Sequence, residues 1–197
     1  MKRVLCVILA TALVHDVCTA AEGPSYTADG KMLPFSGYRE WIFLSSGLDM
    51  TYSAPEAAAA APSHSTFGNI FVNPESYRVF MVTGKWPDKT TLIIEVRDAV
   101  TEGSINKGGL YQTEFRGLEV HVKDEKRFPD KWAFFNSDGK LSASKIPETA
   151  DCYSCHKEHG ALDTTFVQFY PTLLKVAQER KTLERPRAPQ RGKGTVQ

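Results

Sequence analysis

Residues 151–160, "DCYSCHKEHG", constrain the chain more than any other stretch. Two cysteines stand two residues apart, a histidine follows directly, and a second histidine comes three residues later. Three chemistries use such spacing. A structural zinc site takes four ligands, commonly two C-x-x-C pairs or one pair with a distant histidine pair. A thiol–disulfide motif belongs to a strand-to-helix context near the start of its fold. A c-type haem needs two thiols for its vinyl groups and a histidine beside the second to reach the iron.

The N-terminus decides how many thiols compete. Lys2 and Arg3 precede an apolar run over residues 4–14, too short to span a bilayer, and "VCTAAEG" offers small residues for cleavage after Ala20 or Ala21. This reads as a secretory signal over residues 1–20, and it predicts a periplasmic or secreted protein with no membrane span once the signal is cleaved. Cys6 and Cys18 leave with it, so Cys152 and Cys155 remain alone. Zinc then lacks a second pair, and recruiting His159 would crowd four ligands into eight residues. The motif also sits near the end of the chain, after a strand-rich body. The reading is therefore one covalent haem c, with thioethers at Cys152 and Cys155 and His156 as proximal iron ligand. In bacteria that attachment takes place outside the cytoplasm, in agreement with the signal. His159 leaves the same short segment and reads as solvent-facing or hydrogen-bonding rather than as a second ligand.

The chain of 197 residues is 42% hydrophobic and 11% aromatic, enough for one domain with a substantial core. A formal net charge of +1 gives no field toward nucleic acid. Residues 22–180 read as the domain, and 181–197 as a basic, Pro/Gly-rich disordered tail. Strands are expected at 38–46, 65–72, 90–100, 110–124 and around "KWAFFNSDGKL". Asn73, Pro74 and Gly84 punctuate a helix whose inner face carries Tyr77, Phe80 and Met81. The Ala-rich residues 54–64 read as a loop. A short helix carries the cysteine motif, and Pro171 either kinks the next helix or starts a new one. The fold class is α+β: mainly antiparallel sheet with a C-terminal helical haem-binding segment. In residues 118–123, Leu118, Val120 and Val122 alternate with Glu119, His121 and Lys123, which predicts an exposed His121.

The segments "YREW" (38–41), "NPESY" (73–77), "TGKWPD" (83–88), "GLEVHVKD" (117–124), "WAFF" (132–135) and "CYSCHKEHGALDTTFVQFYPTL" (152–173) resemble, in order, the cytochrome P-460 family and its relative cytochrome c′-beta. The resemblance implies a small antiparallel β-fold, often dimeric, with a haem c ligated by one histidine and open on its distal face. Cytochromes P-460 oxidise hydroxylamine, some handle nitric oxide, and their haem is cross-linked to a lysine as well. The matching position here is Ile94, and the strand from Thr90 to Val96 has no lysine. That departure moves the chain toward cytochrome c′-beta, whose members bind gases such as nitric oxide in an apolar distal pocket.

Candidate distal groups are Ile94, Phe67 and Phe134, with Phe43, Phe71 and Phe135 behind them. His64, Met50 and Met81 are alternative sixth ligands. Glu95, Arg97 and Glu114 are charged groups near the presumed pocket strands. Three functions follow in order. The first is a five-coordinate haem protein that binds or scavenges nitric oxide or a similar ligand. The second is a hydroxylamine oxidoreductase passing electrons to a partner cytochrome. The third is a simple electron carrier.

Overall fold

The computed structural model describes residues 23–50 and 65–184. Among these described residues five strands form one antiparallel sheet in chain order: β1 (Ile42–Leu48), β2 (Thr66–Val72), β3 (Thr91–Val100), β4 (Tyr111–Lys123) and β5 (Trp132–Ser137). Three helices accompany it: α1 (Pro74–Thr83), α2 (Asp151–His159) and α3 (Pro171–Arg180). Short 3-10 turns occupy Tyr38–Glu40 and Val167–Phe169. The class is α+β, as expected, with two of the helices at the C-terminal end. The signal segment, the Ala-rich insertion with His64, and residues 185–197 lie outside the described residues. Among the described residues no helix is long and apolar enough to cross a membrane.

Local chemistry explains most boundaries. Pro74 fills the first turn of α1, where a missing N–H costs nothing, and Gly84 ends it at φ 69 with its N–H on the Phe80 carbonyl. Asn73 does not cap the helix. Its Oδ1 accepts the Thr91 N–H at 2.8 Å and ties the start of α1 to β3. The first strand begins at Ile42 rather than 38, because Gly37 at φ 74 turns the chain into a 3-10 segment that buries Tyr38. Pro171 starts α3 as a fresh helix. Residues 181–184 are not part of a free tail: the Thr182 hydroxyl donates to the Gly84 carbonyl, and the Glu184 N–H to the Ala161 carbonyl.

Pairing register sends alternate residues to opposite faces of the sheet. Ile93, Val120 and Phe135 lie side by side across three strands, as do Leu92, His121 and Phe134. Both faces are covered at the centre. On one, Ile70, Val72, Leu92 and Trp132 pack with Phe80 of α1 and with Leu173, Val176 and Ala177 of α3. On the other, Ile93, Leu118, Val120, Val122 and Phe135 pack with Met32, Tyr38, Phe128 and Ala143. The C-terminal end of β4, Val120–Lys123, therefore has no solvent face. His121 is buried, at 6% exposure, and the alternation that predicted it exposed instead marks the face turned toward the helices.

Candidate functional site

Helix α2 is the element that carries the motif, and it is unusual. None of its nine residues is buried. Helical spacing nevertheless puts Cys152, Cys155 and His156 on one face. The helix ends at Gly160, whose N–H reaches the His156 carbonyl at 2.9 Å. Tyr153 anchors the other side: its hydroxyl donates to the Ile146 carbonyl at 3.2 Å and accepts the Phe134 N–H at 3.3 Å. Between α2 and the helix-facing side of the sheet lies a cavity of about 390 Å³. Its walls are mostly apolar, with Leu92, Ile94, Phe134, Ile146 and Phe166 prominent; Cys152, His156, His121 and Glu119 also line it.

The His156 ring is fixed from several sides. Phe166, Phe134 and His121 surround it at centroid distances of 4.2, 4.6 and 4.9 Å. Its Nδ1 lies 2.8 Å from the Thr164 carbonyl oxygen, an acceptor, so Nδ1 carries the proton and Nε2 keeps its lone pair. Burial lowers the His156 pKa, against a smaller upward pull from that hydrogen bond, so the ring is neutral at physiological pH. A neutral imidazole with its far nitrogen hydrogen-bonded to a carbonyl is the usual preparation of an iron or zinc ligand.

Burial pushes the Cys152 thiol up, helped by the negative charges of Glu119 and Asp151; burial and Glu158 do the same to Cys155. Reactive thiols need the opposite environment, so thiol–disulfide chemistry finds no support. Among the described residues no group of three or more His, Cys, Asp or Glu is placed to hold a bare metal ion. Two protonated thiols, a neutral histidine with a free Nε2 and an apolar cavity of this size fit a haem attached by two thioethers. Helix α2 fits as well: the protein only half-buries Cys152, Cys155 and His156, and a porphyrin against that face would complete its cover. His159, with its side chain 52% exposed, stays at the surface.

The sheet's parity sorts the distal candidates. Ile94 and Phe134 line the cavity. Phe67 does not: it pairs with Arg97 and belongs to the opposite face. Phe71 packs in the opposite core and Phe43 is exposed. Phe135 touches the cavity but is a member of that opposite core. Among the described residues no methionine lines the cavity: Met32 is buried across the sheet, Met50 is exposed, and Met81, half-buried on α1, packs against the helix-facing core. Glu95 is also on the far face. It is buried there, accepting from Tyr38, Arg39 and Arg97. Glu114 is exposed.

Sequence reasoning missed Glu119 and His121. Glu119 pairs with Ile94 and reaches into the cavity, whose open volume leaves its side chain accessible while protein atoms crowd around the carboxyl. That crowding raises its pKa above the ordinary carboxylate value of 4.5. His121 is sandwiched between Trp132 and Phe134 at 4.3 and 4.0 Å, and its Nε2 has no partner. The signal for both was available in the polar half of the β4 alternation, once a second layer is required to cover it.

The Cytochrome P460 family model matches residues 35–167. No curated protein matches the chain.

Proposed function

The chain belongs to the cytochrome P460 family, and on that premise we propose that it is an exported mono-haem c protein whose iron, ligated by His156 and open on its other face, binds or scavenges nitric oxide or a similar small ligand. When bound, the haem supplies a redox-active iron with a coordination position for that ligand. Cys152 and Cys155 hold the porphyrin, and His156 presents Nε2 to the metal. Leu92, Ile94, Phe134 and Phe166 exclude water from the pocket. The observation that carries this reading is the wall of the cavity. Ile94 stands where the resemblance places the family's cross-linking lysine, and among the described residues no lysine lines the space. Among the described residues no methionine stands in that wall, which speaks against an electron carrier with a methionine sixth ligand.

One residue favours the second reading, oxidation of hydroxylamine with electrons passed to a partner cytochrome. Glu119 is a carboxylate with a raised pKa in an apolar pocket, suited to accept a proton from a reduced nitrogen compound. Absorption spectra of the purified holoprotein separate the readings. A high-spin five-coordinate resting spectrum that shifts on adding nitric oxide, without hydroxylamine turnover, supports the first. Steady reduction of an added electron acceptor by hydroxylamine replaces it with the second. A low-spin six-coordinate resting spectrum sinks both.

A further inference from the structure

Between α2 and the Val167–Phe169 turn, two consecutive residues hold left-handed backbone: Asp163 at φ 47 and Thr164 at φ 58. Neither is glycine. Thr164 is β-branched, the type for which this conformation is least tolerated. Such a turn persists only where its surroundings over-determine it, and here they do. The Lys123 ammonium, buried at the end of β4, lies 2.6 Å from Asp163 Oδ2 and donates to the Trp86 carbonyl at 2.9 Å. The Asp163 N–H donates to Glu184 Oε1 at 3.1 Å. Ala161 N–H donates to the Thr165 carbonyl at 3.0 Å, and Trp86 Nε1 to the Thr165 hydroxyl at 2.8 Å. Gly160 supplies the room: a Cβ there would sit 2.8 Å from the Thr164 carbonyl carbon.

All of this fixes one atom with chemistry attached to it. The Thr164 carbonyl oxygen accepts the His156 Nδ1–H at 2.8 Å. A second observation points the same way. A buried ammonium is costly unless paired, and an apolar residue of similar volume commonly serves stability as well. Lys123 nevertheless occupies this position, reaching across from the sheet to a surface turn.

We infer that Lys123, through its ion pair with Asp163, is a positioning residue for the iron ligand: it locks the Asp163–Thr164 turn so that the Thr164 carbonyl meets the His156 Nδ1–H. This rests on His156 being the proximal ligand. The carbonyl fixes the ring's tautomer and rotation and makes Nε2 a stronger donor to the iron. Lys123 and Asp163 therefore act on the metal without touching it.

The test uses holoprotein with covalent haem verified by haem staining of a denaturing gel. Asp163→Asn and Lys123→Met remove the ion pair from either side. In both, the ferrous iron–histidine stretching band in resonance Raman is expected to fall in frequency, and the midpoint potential to rise. Because the two residues act as one unit, the double variant shifts no further than the larger single. A merely structural role would lower the melting temperature and leave the band in place. An unchanged band and potential in folded, haem-loaded Asp163→Asn overturns the inference, and this variant decides alone if Lys123→Met fails to fold. If His156→Ala leaves the resting spectrum unchanged, the ligand assignment itself falls and takes the inference with it.

Discussion

Ile94 and Glu119 are Cα partners on β3 and β4, and together they set the character of the cavity wall. Isoleucine offers no nucleophile for a covalent link to a bound haem. A carboxylate across from it adds a proton acceptor. Gas binding needs only the first; oxidation of a reduced nitrogen compound needs the second. Glu119→Gln separates them. If the protein turns over hydroxylamine, the variant should lose at least about 100-fold in rate, the usual scale for a general base. Nitric oxide binding should be unchanged. Since burial raises the Glu119 pKa, the acidic limb of a rate–pH profile should lie above 4.5. The same shift supplies a folding control. A carboxyl whose folded pKa is raised opposes folding once ionised, so at neutral pH the glutamine variant should melt no lower than the parent. Steady-state assays, nitric oxide titrations and thermal melts check the set. That Cys152, Cys155 and His156 share one face of a helix was legible in the sequence because their i, i+3, i+4 spacing dictates it. Glu119 and His121 were not, because alternation in one strand tells two faces apart without telling which one meets solvent.

Two elements show how neighbours fix what propensity leaves open. The 3-10 turn Tyr38–Glu40 is docked on β3 by Glu95, which is buried and accepts from Tyr38, Arg39 and Arg97. Burial alone would raise the Glu95 pKa; the three donors outweigh it and hold it below 4.5. A carboxyl lowered by folding contributes stability above its unfolded pKa and loses it as pH falls. The protein should therefore lose stability below about pH 4.5, as the carboxyl protonates through its lowered range. Glu95→Gln should cost about 1.5–3 kcal/mol at pH 7, the scale of a hydrogen bond to a charged group. Its stability should also fall less steeply with acid, as urea melts at pH 7 and pH 4 would report. The turn after α2 depends on space. At Gly160 an added methyl would lie 2.6 Å from the His156 carbonyl oxygen and 2.9 Å from Thr164 Cα, both backbone. Gly160→Ala should cost about 1–3 kcal/mol as an overpacked contact, seen as a lower urea midpoint at unchanged slope. Proline and glycine punctuation announced the ends of α1, and at Pro171 it left a kink and a fresh helix both open. The left-handed Asp163–Thr164 turn had no local signal, since its cause is Lys123, 40 residues away in the sequence.

At the scale of the molecule, the sheet separates two cores of different self-sufficiency. The face that packs on Met32, Tyr38 and Phe128 is closed by protein alone, and β3 and β4 pair along most of their length. On the other face, α1 and α3 cover one end with Phe80, Leu173 and Ala177. The far end is the apolar cavity, flanked by α2. A helix of nine residues is too short to persist by itself in water, and α2 buries none of them. Among the described residues its ties include the Tyr153 hydroxyl, the His156–Thr164 hydrogen bond, the Gln168 Nε2 donation to the His159 carbonyl at 2.9 Å and the ring contacts of Tyr153 and His156. Porphyrin attached at Cys152 and Cys155 would complete the cover of the half-buried Cys–His face of α2 and occupy the cavity beside it, so haem loading and the folding of this end should be one event. Amide hydrogen exchange on holoprotein, and on a Cys152→Ser, Cys155→Ser, His156→Ala variant freed of haem, puts this to the test. The haem-free protein should keep protection in the central pairs of β3 and β4, where opening approaches global unfolding. It should lose protection across α2 and in the 160–165 turn that the His156 ring helps to hold. Uniform loss over the whole sheet would mean the two cores are one cooperative unit. Full protection of α2 without haem would mean its few protein contacts suffice.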